Sequence, residues 1–323
     1  MRKEDRFVQI KTFLKLVEIQ TKIASVFPFV MGILFTFYRF GEIKILNTFI
    51  FFIAMILFDL TTTTINNYMD FKKATDQHDY DYRKQSNVIG QENIPEKTVV
   101  TLIFLMLTMA TILGLVLVVR TNVFLLFVGM LCFGIGVFYT FGPVPLSRMP
   151  LGEIFSGVTM GFGIFFISMY VNVYDLSILS FQIEDGFFLL KGNIEELLVM
   201  VLVSLPGIFT IANLMMANNI CDLDEDILNH RYTLPYYIGK QTAVKLFNLL
   251  YILSFLSVIV AVLIGVFHPL MLVSLVAMIP VYKNLKLFNQ KQVKSETFVL
   301  SVKNLIIINS IECFVLLISL FFK

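Results

Sequence analysis

About nine apolar stretches, each close to 20 residues long, leave this chain one kind of fold. They run over roughly 17–38, 45–67, 98–119, 122–141, 151–173, 197–218, 244–266, 268–284 and 298–322. A helix needs about 20 such residues to cross a hydrocarbon core about 30 Å thick. In lipid the backbone must satisfy its own polar groups, so a helix can span where an open strand cannot. The expected fold is an all-α polytopic membrane protein, a single domain over 1–323 with about nine transmembrane helices in a bundle. Composition agrees, with 57% hydrophobic and only 15% charged residues, against about 25% charged in a soluble domain. A net charge of +2 implies no bulk attraction to nucleic acid. Charged residues fill the first 15 positions and no small-residue cleavage site follows, so no cleaved signal peptide is expected.

Basic residues orient the bundle. With nine spans, the side holding the N-terminus and the loops after even-numbered spans carries about 18 Lys and Arg, and the other side about five. The five are Arg39, Lys44, Arg120, Lys191 and Lys323, close to the acidic Glu184, Asp185, Glu195 and Glu196. The rich side is expected to face the cytoplasm, placing the chain in the cell membrane. The Lys283–Lys294 group reads as a solvated loop on that side.

The second and sixth spans end alike. Asn66-Asn67-Tyr68-Met69-Asp70 is echoed 152 residues later by Asn218-Asn219-Ile220-Cys221-Asp222. Asp76 follows the first copy and Asp226 the second, giving motifs at 66–76 and 218–226. Four spans separate them, so both lie on the same side, as in a parallel repeat of two halves. Residues four apart share a helix face. Asn66 pairs with Asp70 in this way, and Asn218 with Asp222 and then Asp226. Asp59 and Thr63 carry the first stripe back into the membrane, where a carboxylate must face a cavity or a partner. Facing carboxylates repel unless a hard cation joins them, and Mg²⁺ favours one or two carboxylates plus phosphate oxygens. The arrangement suits a diphosphate held through Mg²⁺, with Lys72, Lys73, Arg83, Lys84 and Arg231 nearby to share its charge. The three cysteines form no CxxC pair, and His78, His230 and His268 share no spacing, so no zinc or histidine site is expected. A secondary transporter is the alternative, with Lys22 and Asp59 as an ion path.

From about Lys22 to Gly239 these motifs resemble the UbiA-type intramembrane prenyltransferases. Within that family they look most like the branch that prenylates 1,4-dihydroxy-2-naphthoate for menaquinone. Asn66, Tyr68, Asp70 and Asp76 match its first motif. Asn218, Asn219, Ile220, Asp222 and Asp226 match its second, followed by Arg231 and Gly239. Tyr139-Thr140-Phe141-Gly142-Pro143-Val144-Pro145, then Leu151-Gly152-Glu153, looks like its loop between helices four and five. Asn67, His230 and Tyr237 depart from the family's usual Asp, Gly and Arg.

The resemblance implies a Mg²⁺-dependent transfer of a polyprenyl group from its diphosphate to an aromatic ring. Asp70, Asp76, Asp222 and Asp226, with Asn66 and Asn218, would hold the metal. Lys73, Arg83 and Arg231 would contact the diphosphate, and Tyr139 would steady the allylic cation through its ring. Lys22, Asp59, Asn67 and Asn219 would support this set or the acceptor. Tyr80 and Tyr82 would belong to a loop over the substrate, and Cys221 would be filler. Another acceptor, such as 4-hydroxybenzoate, haem or a chlorophyll precursor, remains open at this point.

Overall fold

The computed structural model describes residues 3–73, 87–140, 146–176, 178–184, 187–228 and 230–322. Apart from the short turns Val88–Gln91, Leu146–Arg148 and Leu234–Ile238, its helices are α1 (Lys3–Leu16), α2 (Ile19–Phe40), α3 (Ile45–Lys73), α4 (Glu96–Arg120), α5 (Phe124–Thr140) and α6 (Gly152–Leu176), then α7 (Ile194–Cys221), α8 (Leu223–Leu228), α9 (Lys240–Leu263), α10 (Pro269–Gln290) and α11 (Phe298–Phe322). Eight of them, α2, α3, α4, α6, α7, α9, α10 and α11, are long and apolar enough to cross a membrane. α5 is apolar but shorter, and it occupies the place of the fourth expected span. Each apolar stretch of the sequence therefore forms one helix of a multi-pass membrane protein.

Two elements depart from the sequence reading. α1 precedes the first span and is set off from it at Glu18, whose φ is 48°. Between α6 and α7 the chain forms an antiparallel hairpin, β1 (Leu179–Glu184) with β2 (Phe187–Gly192). A run of four apolar residues, Phe187 to Leu190, is too short to separate from a buried helix segment by periodicity, so no strand was expected there.

α7 lies at the centre, packed on α2, α6, α9 and α11. The main apolar core fills the space around α2 and α6, with Phe35, Phe165, Met169 and Tyr170 almost wholly buried. A second core joins α7, α9, α10 and α11 around Phe247, Tyr251 and Phe288. α4 is the reverse case. Phe104, Leu105 and Val119 on it are exposed, as expected of a helix whose solvent is lipid.

The α6–α7 crossing depends on glycine. A Cβ on Gly161 would stand 2.6 Å from both Cα and N of Ile208, and one on Gly157 would stand 2.8 Å from the Ile208 carbonyl oxygen. Backbones approach this closely in membranes only where side chains are absent. The contact sits in a π-helical stretch, Gly157–Gly163, of the kind common at functional sites. Gly161→Leu is expected to push the two helices apart and lower the thermal midpoint in detergent, at a cost of about 1–3 kcal/mol. An unchanged midpoint would show that the crossing adapts.

Candidate active site

The repeated motifs terminate α3 and α7, and both helix ends reach one end of the bundle. Asn66 and Asp70 stand one turn apart on α3, and Asn218 and Asp222 one turn apart on α7. Asp222 ends α7 with its N–H on the Asn218 carbonyl at 3.0 Å. The Asp226 N–H then reaches the Asp222 carbonyl at 2.8 Å, so α8 continues the turn.

Among the described residues, Asp70, Asp222 and Asp226 each meet a cation. Arg148 Nη2 is 3.6 Å from Asp70 Oδ1. Arg231 Nε is 3.4 Å from Asp226 Oδ1. Lys294 Nζ bonds Asn218 Oδ1 and Asp222 Oδ2 together. The two motifs are linked through backbone as well, because the Tyr232 N–H donates to the Arg148 carbonyl at 3.1 Å. One stretch, Arg148, thus touches Asp70 on one side and the chain beside Arg231 on the other.

The second motif is the more enclosed. Asn219, 1% exposed, donates from Nδ2 to Glu153 Oε1 at 2.8 Å. The other oxygens of this pair, Asn219 Oδ1 and Glu153 Oε2, are buried without a hydrogen-bond partner, as are Asp226 Oδ2 and Arg231 Nε. Such atoms are rare in native proteins and call for an account. Burial pushes the Asp226 carboxyl up to about 6, and Arg231 only partly offsets it. Arg231 thus compensates this buried carboxylate only in part and leaves one oxygen idle, and a divalent cation would supply the remaining positive charge. The donor set is all oxygen, as Mg²⁺ prefers. Among the described residues no three His, Cys, Asp or Glu side chains form a cluster that holds a metal by themselves. Mg²⁺ commonly takes part of its shell from phosphate oxygens and the rest from one or two carboxylates.

Tyr139 closes α5 beside this cluster. Its hydroxyl is buried and feels the charges of Glu153 and Arg231. A Cβ on Gly152 would come within 3.8 Å of that hydroxyl.

Other expected residues have different surroundings. Asn67 turns to the N-terminal segment, its Nδ2 on the Leu16 carbonyl at 2.9 Å and on Glu18 Oε1 at 3.2 Å. Lys22 and Asp59 form a buried ion pair at 2.7 Å, with Thr63 and Ser25 completing it. Lys72 pairs with Glu96 at 2.6 Å, which ties α3 to the start of α4. Asp76, Arg83, Tyr80, Tyr82 and Lys84 lie outside the described residues, as do the side chain of Lys73 and the turn at 141–145. Arg148 and Lys294 had not been singled out. Lys294 is exposed, as the solvated-loop reading expects, and its ammonium also reaches the second motif. No spacing signals it, since 72 residues separate it from Asp222.

His230, in place of the family's usual glycine, takes a φ of 54°. This left-handed region costs an L-residue about 1–2 kcal/mol. His230→Gly is expected to raise the thermal midpoint modestly; a fall would mean that the imidazole makes a contact worth more than the strain.

A multi-pass helical bundle with paired Asn/Asp motifs, cations and unpartnered oxygens at one polar end is the architecture of an intramembrane enzyme for anionic substrates. Residues 25–305 match the UbiA prenyltransferase family, and the chain belongs to it. It is 27% identical over 254 residues to the 1,4-dihydroxy-2-naphthoate octaprenyltransferase of Bacillus subtilis (strain 168), across 77% of this chain and 73% of that protein. Its fold is similar to a UbiA homologue from Aeropyrum pernix K1, with a TM-score of 0.66 at 17% identity over 91% of this chain and 97% of that one. It is also similar to a UbiA homologue from Archaeoglobus fulgidus bound to DMAPP and Mg²⁺, with a TM-score of 0.61 at 12% identity over 93% and 99%.

Proposed function

We propose that this prenyltransferase moves a polyprenyl group from its allylic diphosphate to 1,4-dihydroxy-2-naphthoate, in the synthesis of demethylmenaquinone. The relative from Bacillus subtilis supports the acceptor. The cluster of buried, unpartnered polar atoms around Asp226 and Asn219 carries the site. The chain acts as one domain of two halves, each ending a helix in an Asp-rich motif.

Asn66, Asp70 and Asp76 of the first motif, and Asn218, Asp222 and Asp226 of the second, would hold Mg²⁺ and, through it, the diphosphate. Mg²⁺, when bound, withdraws charge from the diphosphate and makes it a better leaving group. Lys294, Arg148 and Arg231 already stand on these carboxylates and share the departing charge, with Lys73 and Arg83. The bond from the allylic carbon to the diphosphate oxygen breaks. The Tyr139 ring steadies the resulting cation, and the membrane-embedded bundle excludes water from it. The naphthoate ring carbon that bears the carboxylate then attacks, a carbon–carbon bond forms there, and the carboxylate leaves as CO₂, its bonding electrons returning to the ring. Glu153 holds Asn219 in place through its hydrogen bond. The basic end of the bundle, with both motifs, faces the cytoplasm, and the protein resides in the cell membrane.

Purified protein in lipid vesicles is expected to form prenylated product from 1,4-dihydroxy-2-naphthoate and a short allylic diphosphate with Mg²⁺ and none with EDTA. Product from 4-hydroxybenzoate in place of the naphthoate would overturn the acceptor but keep the reaction. No release of diphosphate with any aromatic acceptor would overturn the reaction.

A further inference from the structure

The hairpin between α6 and α7 is far from the motifs. α6 begins beside Asn219 and α7 ends in the second motif, so the connection at 179–192 lies at the opposite end of the bundle. It is tied down there. The Asn193 N–H donates to the Ile178 carbonyl at 2.8 Å, and the Tyr170 hydroxyl lies 2.7 Å from Asn122 Oδ1 and 3.2 Å from the Leu179 carbonyl.

β2 is apolar on both faces and exposed throughout. Phe187 and Phe188 are each 77% exposed, and Leu190 is 58% exposed. Successive strand residues point to opposite sides, so no orientation hides this strand from water. Its apolar surface is continuous with the lipid-facing wall. Phe181 of β1 packs on Phe188 with ring centroids 6.2 Å apart, and on Phe127 of α5 at 5.0 Å. Phe127 is in the first turn of its membrane helix. The hairpin therefore stands at the level where α5 enters the bilayer. A two-stranded ribbon keeps unpaired backbone groups along its edges, and these exclude it from the hydrocarbon centre. Lys191 follows the apolar run and can reach the headgroups.

We propose that the hairpin lies in the headgroup–acyl boundary of the leaflet opposite the active site, anchoring α6 and α7 to that surface through Phe187, Phe188 and Leu190. The occupant of the apolar face is lipid.

The chain has no tryptophan, so Phe188→Trp supplies a single indole, excited selectively to the red of the 12 tyrosines. The full-length variant is reconstituted in phosphatidylcholine vesicles brominated either near the headgroup or at the chain ends, and its prenyl-transfer activity confirms that it is folded. The expected result is blue-shifted emission, with strong quenching by the shallow bromine and weak quenching by the deep one. Red-shifted emission quenched by aqueous acrylamide would overturn the proposal, because the hairpin would be in water. Emission insensitive to lipid bromine and acrylamide would overturn it in favour of a second copy of the chain. Strongest quenching from the chain ends would overturn the interfacial depth.

Discussion

Asp222→Ala is expected to lower prenyl transfer by on the order of 10²–10³-fold, the loss seen when one preorganised electrostatic group leaves a transition-state site. Asp222 does two things. It offers a carboxylate one turn from Asn218, and it fixes Lys294 over the same spot. Without it the site has less charge for a divalent cation, and Lys294 keeps only the neutral Asn218 oxygen as its hydrogen-bond partner. Lys294→Met separates the two effects. If Lys294 shares the charge of the diphosphate, that variant keeps its Mn²⁺ affinity, read by electron paramagnetic resonance with the diphosphate bound, and loses turnover. Asp222→Ala loses both. Full activity in Asp222→Ala would remove the second motif from the mechanism.

The bundle was legible because lipid imposes one rule on every span: a run of apolar residues long enough to cross. The nine stretches and nine helices agree to within a few residues. The hairpin escaped for the opposite reason. Its apolar residues run Phe187 to Leu190 without alternation, so the strand carries no period-two pattern. α1 was also missed, since its charged composition reads equally well as an unstructured lead-in.

The site was half legible. Asn218, Asp222 and Asp226 announce themselves by four-residue spacing, and the helix ends show them on adjoining turns. Contacts across the bundle leave no trace in spacing. Glu153 on Asn219 spans 66 positions, and Lys294 on Asp222 spans 72. Asn67 shows a different failure. It shares the motif with Asn66, yet one step along a helix turns a side chain by about 100°. Asn67 therefore braces the Leu16–Glu18 segment against α3.

The Lys22–Asp59 pair carries the second large effect. Lys22 is 4% exposed, and its Nζ lies 2.7 Å from Asp59 Oδ1, with Ser25 donating to the other carboxylate oxygen. Removing one partner of a buried pair leaves an uncompensated charge and costs about 3–5 kcal/mol. Lys22→Met is therefore expected to unfold at a much lower temperature, read with a thiol dye as buried Cys313 becomes exposed. Asp59 lies on the same α3 stripe as Thr63, Asn66 and Asp70, so the pair also holds α2 against the helix that presents the first motif. The double variant Lys22→Met/Asp59→Leu removes both charges together. Its stability is expected to recover most of the loss, since replacing a whole buried pair by apolar groups is often neutral. Should its prenyl transfer recover with it, the pair is a clamp on helix packing. Full stability without activity would instead place Lys22 or Asp59 on the substrate, and an unaltered midpoint in Lys22→Met would refute the clamp outright.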